Sequence, residues 1–293
     1  MLRYLFLACL GLELAAADGW MEDLPAAQER AQREGRDLFI DFTGSDWCSW
    51  CIRLDREILG RPEFLTAVRE HFVLVKLDYL RKRPLPADRQ AALDAISERY
   101  AIAGFPTVLL CTADGTAYAR TGYLKLTPAA YADRLLAAQA ARGREPELAR
   151  QVADSRGPAQ AAALHALIDH RDLMGSEITR DLMQQAVAAD PMGTLPATVT
   201  MRQRLAEMTI TETLRAADTQ KDDTQRERLI SQGLADSMLS AEFRQGLLMR
   251  RAMGKFQTDR AGARTDLDAA KALAPNSTAV EQIDLLLRVL MRP

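Results

Sequence analysis

Two cysteines separated by two residues lie where a strand pattern gives way to a helix pattern. Residues 38–42 form a short apolar run rich in strand formers, which predicts a buried strand. A loop follows over residues 43–47. Beyond Cys51, apolar side chains recur at helical spacing, at Ile52, Leu54, Ile58 and Leu59. The pattern therefore predicts that Cys48 and Cys51 stand at the N-terminal end of a helix that follows a strand.

Helix and strand patterns alternate through the first half of the chain. Helices are predicted over residues 24–34, 87–100 and 128–140, and further strands over residues 72–77, 107–111 and 116–123. The turn at Asp114-Gly115 makes the last two strands a hairpin. Strands separated by helices and closed by a hairpin predict an α/β domain with a mixed central sheet.

The character of the chain changes after about residue 142. Alanine, leucine, methionine, glutamine and arginine dominate from there on, and no alternating β-branched run remains. An all-helical region is predicted, either a generic bundle or a degenerate array of tetratricopeptide-like repeats. We therefore expect a signal segment at 1–17, an α/β domain at 18–142 and an all-α domain at 143–293.

The N-terminus has the order of a secretory signal peptide. A positive Arg3 is followed by an apolar run over residues 4–14 and by three alanines, which predicts cleavage close to Asp18. The run is too short for a membrane span, so we expect no stable span in the mature chain and a periplasmic or other extracytoplasmic location. An uncleaved signal or a lipid on Cys9 remains an alternative that would anchor the protein.

The charge of the chain is nearly balanced. The formal net charge is -2 and the pI is about 6.0, so there is no global positive field to attract nucleic acid or an anionic membrane surface. We expect neither as a partner.

The position of the cysteine pair predicts two different roles. The dipole and free N–H groups of a helix N-terminus stabilise a thiolate on Cys48, and the thiolate is the species that attacks a disulfide. Cys51 lies one turn further in, where it can resolve the mixed disulfide in an intramolecular step. The pair is thus a candidate redox-active disulfide.

Two alternatives to a redox role stay open for the pair. The first is half of a structural zinc site, although such a site needs four ligands; the three histidines are scattered and Cys111 stands alone in a strand. We therefore expect no metal and no cofactor, and interpret Cys111 as a buried strand residue. The second alternative is an inert structural disulfide.

The segment 41–51, Asp-Phe-Thr-Gly-Ser-Asp-Trp-Cys-Ser-Trp-Cys, together with 104–107, Gly-Phe-Pro-Thr, resembles the thioredoxin family. It is similar to exported thioredoxin-like domains, including the soluble domains of thiol:disulfide interchange proteins. The likeness covers about residues 20–139 and implies a thioredoxin-like fold.

The resemblance also implies roles for individual residues. Pro106 corresponds to a cis-proline whose neighbouring backbone faces the sulfurs and binds extended substrate. Asp41 corresponds to a buried carboxylate that moves a proton to or from the second cysteine, and Lys76 to the strand lysine beside it. We expect the substrate-binding residues to be Trp47, Trp50, Phe105 and Pro106.

These expectations together predict an exported thiol:disulfide oxidoreductase that acts on protein clients. We favour a reductive role, which needs a membrane or soluble thiol as electron donor. Ser49-Trp50 departs from the glycine-proline of thioredoxin and leaves the direction of electron flow open, because this dipeptide tunes the reduction potential. The alternative is a co-chaperone or client-binding module in which the helical domain binds a partner and the redox domain is secondary.

Two charged features near the pair receive structural interpretations. Asp46 is expected to cap the N-terminus of the helix that follows it. The basic, proline-broken segment 81–86 is expected to be a solvated loop.

Overall fold

The computed structural model describes residues 19–290, so the predicted signal segment and Cys9 lie outside the described residues. The chain divides into two compact units. The first comprises residues up to Glu145 together with His170–Glu177, and the second comprises Pro146–Asp169 and Ile178 onward. The division into two independent domains at residue 142 stays a prediction.

A mixed five-stranded sheet forms the centre of the first unit. Its order is β1-β3-β2-β4-β5, with β1 and β2 parallel to β3, β4 antiparallel to β2, and β5 antiparallel to β4. The bounds are β1 Trp20–Met21, β2 Asp37–Thr43, β3 Phe72–Asp78, β4 Thr107–Cys111 and β5 Ala117–Thr121. The predicted α/β fold class is confirmed, and β1 is a strand that the sequence did not predict because it is too short to show a period.

Helices cover both faces of this sheet. They are α1 Leu24–Glu34, α2 Ser49–Leu54, α3 Pro62–Val68, α4 Ala87–Arg99 and α5 Pro128–Ala141. A π-helical turn, Asp55–Leu59, separates α2 from α3. Every residue of β2 is buried, because this central strand has helices above and below it.

The two faces of the sheet carry separate apolar cores. Phe39, Leu74, Val108 and Leu110 face a core shared with the π-helical turn, α3 and α5. The alternate residues of the same strands face a second core shared with α1 and α4. Because successive strand side chains point to opposite faces, Asp41 and Lys76 point to the first of these cores.

Helices account for the remainder of the described chain. They are α6 Glu145–Asp154, α7 Gly157–Met174, α8 Arg180–Ala189, α9 Pro196–Gln220, α10 Asp223–Ala235, α11 Ala241–Lys255, α12 Arg260–Leu273 and α13 Val280–Leu290. The C-terminal region is thus mostly helical, as expected, and a repeat array there stays a prediction. Within residues 19–290, none of the helices has the length and apolar character needed to cross a membrane.

Candidate active site

The cysteine pair lies at the N-terminus of α2. Cys48 is the N-cap residue, and its Sγ accepts the backbone N–H of Cys51 at 3.2 Å. The two cysteines are joined in a disulfide. Cys48 is 7% exposed and Cys51 is 1% exposed, so the two sulfurs differ in their access to solvent in the order expected for an attacking and a resolving thiol.

The turn between β2 and α2 depends on a glycine. A Cβ at Gly44 would lie 2.6 Å from Cε2 of Trp47, closer than real side chains approach. The carbonyl of Gly44 also accepts the backbone N–H of Cys48 at 2.9 Å. The absence of a side chain at Gly44 therefore lets the Trp47 indole fold back over the turn that presents Cys48.

Trp47 is held by residues from two other segments. Its indole Nε1–H donates to the carbonyl of Tyr79 at 2.7 Å, and its ring packs edge-on against Phe105 with centroids 5.7 Å apart. The Phe105-Pro106 peptide bond is cis. The structure thus brings the Phe105-Pro106 segment beside the cysteine turn, although more than fifty residues separate them in sequence.

Trp50, which lies between the two cysteines in sequence, presents an exposed aromatic surface. It is 47% exposed, and its ring lies 5.3 Å from that of Tyr123. The guanidinium of Arg53 lies over both rings, 5.6 Å and 5.3 Å from their centroids. Tyr123 and Arg53 are site residues that the sequence did not predict, since only the fold places Tyr123 next to Trp50.

Glu57 holds the two residues that pack against Trp50. The Tyr123 hydroxyl donates to its Oε2 at 2.8 Å, and Arg53 Nε donates to both carboxylate oxygens. The hydrogen bond from Tyr123, supported by those from the arginines, lowers the pKa of Glu57. A charged carboxylate therefore holds Arg53 and Tyr123 in place around Trp50.

Asp41 is buried on the central strand. It is 1% exposed, and within residues 19–290 its Oδ1 has no hydrogen-bond partner. Burial raises the pKa of Asp41 to about 7; the nearby Lys76 opposes this rise, and Asp55 and Asp78 add to it. The carboxyl can therefore exchange a proton near neutral pH.

Lys76 is the β3 register partner of Asp41 but forms its ion pair elsewhere. Its Nζ lies 2.7 Å from Oδ1 of Asp55 and 5.0 Å from the centroid of the Trp20 ring. Asp55 begins the π-helical turn and was not predicted as a site residue. The structure therefore places Lys76 between a buried carboxyl on one side and a half-exposed carboxylate on the other.

The expectation that Asp46 caps the helix is wrong. Cys48 occupies the N-cap position, and the Asp46 carboxylate instead accepts backbone N–H bonds from Arg81, Lys82 and Arg83. The N-cap lies two residues after Asp46. The Asp46 carboxylate therefore binds the loop that follows β3 and not the helix.

Cys111 lies at the end of β4 and is fully buried, as predicted. Burial raises the pKa of its thiol to about 12. A thiol in this state is inert near neutral pH.

The family described as thioredoxin-like matches residues 19–113. The chain is 30% identical over 125 residues to the disulfide bond reductase DsbH of Chlamydia pneumoniae, a match that covers 43% of this chain and 75% of DsbH. It is also 30% identical over 91 residues to the thioredoxin-related protein DsbJ of the same organism, covering 31% of this chain and 26% of DsbJ.

A solved structure of a DsbH oxidoreductase is 29% identical, with a TM-score of 0.40; the match covers 42% of this chain and 85% of that one. The similarity to DsbH spans most of that relative, and the match to the thioredoxin-like family at residues 19–113 includes the cysteine pair. The chain therefore belongs to the thioredoxin-like family of protein-disulfide oxidoreductases.

Proposed function

We propose that the protein is an exported thiol:disulfide oxidoreductase that reduces disulfides in protein clients. The observation that carries the proposal is the asymmetry of the pair: Cys48 caps the helix and is the more exposed sulfur, and Cys51 is buried one turn in. The helix N-terminus stabilises negative charge on the first sulfur, so only Cys48 of the pair is suited to attack a client disulfide.

The reaction balances over two exchanges. The Cys48 thiolate attacks one sulfur of the client disulfide, forms a mixed disulfide and releases the other client sulfur as a thiolate. Cys51 then attacks the Cys48 sulfur, the Cys48–Cys51 disulfide forms, and the client leaves fully reduced. Two electrons pass to the client, and a membrane or soluble thiol donor must return them before the next cycle.

Asp41 is proposed to take the proton from Cys51 before the second exchange. Its burial, its pKa near 7 and the lack of a hydrogen-bond partner for Oδ1 support this role. Lys76 is proposed to act through Asp41, because its positive charge favours the ionised carboxyl. The ion pair with Asp55 holds Lys76 in that position.

The client is proposed to bind across the surface around Cys48. Trp47, Trp50, Phe105 and Pro106 are proposed to form this surface. The contact of Trp47 with Phe105 and the exposure of Trp50 support the assignment. Aromatic side chains supply contact area at a small cost in conformational entropy.

The reductive direction rests on the relative named a disulfide bond reductase, of which the match covers 75%. Export rests on the signal-like pattern of residues 1–17. Both properties are proposals for this chain.

Trapping of clients tests the proposal. In the Cys51→Ser variant the mixed disulfide on Cys48 has no resolving thiol, so clients should accumulate as adducts that a reductant releases. Expression in a host with an oxidising extracytoplasmic compartment, followed by non-reducing electrophoresis and mass spectrometry, should identify them. Adducts should be absent from the Cys48→Ser,Cys51→Ser double variant, whose remaining described thiol, Cys111, is buried.

The Cys48→Ser variant separates the proposal from a binding module. We expect it to lose disulfide reduction completely. The co-chaperone alternative would be favoured if this variant still bound clients and suppressed aggregation normally. It would also require that Cys51→Ser forms no adducts.

A further inference from the structure

A basic loop is fixed at the edge of the candidate active site. It consists of Arg81, Lys82 and Arg83, whose side chains are all exposed. The Asp46 carboxylate accepts the three backbone N–H groups of these residues, at 3.0, 2.8 and 3.2 Å. Three backbone bonds to one carboxylate hold the loop by its main chain, so its three cationic side chains are not used to attach it to Asp46.

The attachment point lies close to the reactive sulfur. Asp46 is two residues before Cys48, so their Cα atoms are at most about 7 Å apart. The guanidinium of Arg81 also lies over the indole of Trp47, 3.5 Å from the ring centroid. Carboxylate and indole thus tie the basic loop to the two residues that directly precede the nucleophile.

Charge in this region is unbalanced in favour of the cations. Three exposed cationic side chains stand beside two carboxylates, Asp46 and Asp78, and Asp78 accepts hydrogen bonds from the hydroxyl and the backbone N–H of Ser45. Desolvation opposes ionisation of Asp46, but the hydrogen bonds from the loop lower its pKa, so the anchor stays charged. A local excess of positive charge therefore stands out on a chain whose formal net charge is -2.

We propose that the basic loop is a specificity element that selects client disulfides flanked by acidic residues. The inference rests on the proposed function, because it names the client chemistry for the same pair of cysteines. Arginine pairs with carboxylates in a bidentate geometry, and a fixed cationic patch raises the encounter rate of an oppositely charged segment. Because Asp46 holds the main chain of the loop in place, little backbone conformational entropy is lost when a client binds.

Paired peptide substrates test the selection. Three peptides carry one disulfide each and differ only in flanking residues, which are aspartates and glutamates, lysines, or serines. The full chain, reduced beforehand, is mixed with each peptide, and single-turnover rates are followed by tryptophan fluorescence. At about 0.02 M salt the acidic peptide should react about tenfold faster than the basic one. At about 1 M salt, where the Debye length is about 3 Å, the ratio should approach one.

The triple variant Arg81→Gln, Lys82→Gln, Arg83→Gln should lose the preference. Each rate is divided by that for the serine peptide on the same sample, which cancels any loss of active protein. The matched control, Arg215→Gln, Arg228→Gln, Arg288→Gln, makes the same change in net charge at three exposed residues of the second unit. It should keep the wild-type preference.

Asp46→Ala separates the fixed geometry from simple charge. This variant removes the anchor and makes the site more positive by one charge. We expect a smaller preference for the acidic peptide, since the loop is no longer held, whereas net charge alone predicts a larger one.

Equal wild-type rates with the acidic and basic peptides at low salt would overturn the inference and leave the proposed function standing. Absence of reaction with all three peptides would overturn both.

Discussion

At the scale of single residues, Asp41 couples protonation to folding. Its pKa rises from an ordinary 3.8 to about 7, so between these values the folded protein keeps a proton that the unfolded chain has released. The contribution of this proton to the free energy of unfolding is therefore fully present below about pH 4 and is lost as the pH rises through 7. The interval corresponds to on the order of 4 kcal/mol in the free energy of unfolding, at about 1.4 kcal/mol per pH unit.

Asp41→Asn should remove this dependence on pH. The buried amide still lacks partners, which costs stability equally at every pH, but it cannot ionise. We expect the free energy of unfolding of the oxidised wild type to fall by about 4 kcal/mol more than that of the variant between about pH 4 and pH 8. Urea unfolding followed by tryptophan fluorescence measures it, since Trp20, Trp47 and Trp50 all belong to the first unit.

The control for this measurement is Asp88→Asn, which changes an exposed carboxyl in the first turn of α4. It should keep the wild-type profile. Parallel profiles for wild type and Asp41→Asn would show that Asp41 does not hold its proton in the folded state.

At the scale of elements, the end of α7 packs onto the sheet of the first unit. Leu173 and Met174 contact its apolar core, and Gly175 follows with φ of +66°. A Cβ on Gly175 would overlap the carbonyl oxygen of Arg120 in β5. Only glycine allows both this left-handed conformation and the close approach of the two backbones.

Gly175→Ala should therefore destabilise the first unit by about 2–3 kcal/mol, the sum of left-handed strain and overpacking. Gly35→Ala is the matched control: Gly35 also has a left-handed φ, +64°, but its Cβ would meet nothing within 4 Å. It should cost about 1 kcal/mol. Equal losses in the two variants, read from urea unfolding by tryptophan fluorescence, would contradict a close approach at Arg120.

At the scale of the whole molecule, the proposed export would determine the compartment in which the cysteine pair works. Residues 1–17 carry the signal-like pattern, so we expect the full chain to be cleaved after Ala17 when it is expressed in a Gram-negative host. The measurement is the N-terminal peptide mass of protein from the periplasmic fraction, which should begin at Asp18.

Ala15→Gln with Ala17→Gln provides the control, because bulky polar residues at the small-residue positions should block cleavage. This variant should accumulate at the precursor mass. Wild-type protein that remains in the cytoplasmic fraction with residues 1–17 attached would refute export, and a membrane-bound form carrying a lipid on Cys9 would refute cleavage at Asp18.

Periodicity allowed much of the first unit to be predicted. Strand β4 lies where its pattern placed it, and α4 and α5 differ from the predicted helices by one residue at one end. The helix expected after Cys51 is instead interrupted by the π-helical turn. The apolar spacing correctly indicated helical structure here. It could not show the π-helical turn, because a single turn of this kind hardly changes the pattern of apolar residues.

The sequence by itself determined the α/β order of the first unit, the helical character of the second, and the asymmetric position of Cys48 and Cys51. These features follow from residues that are neighbours along the chain. Tertiary structure alone decided that Asp46 binds the loop 81–83, that Lys76 pairs with Asp55 and that Trp47 packs on Phe105. Each of these contacts joins segments at least twenty residues apart, which meet only because the sheet brings the ends of its strands to one edge.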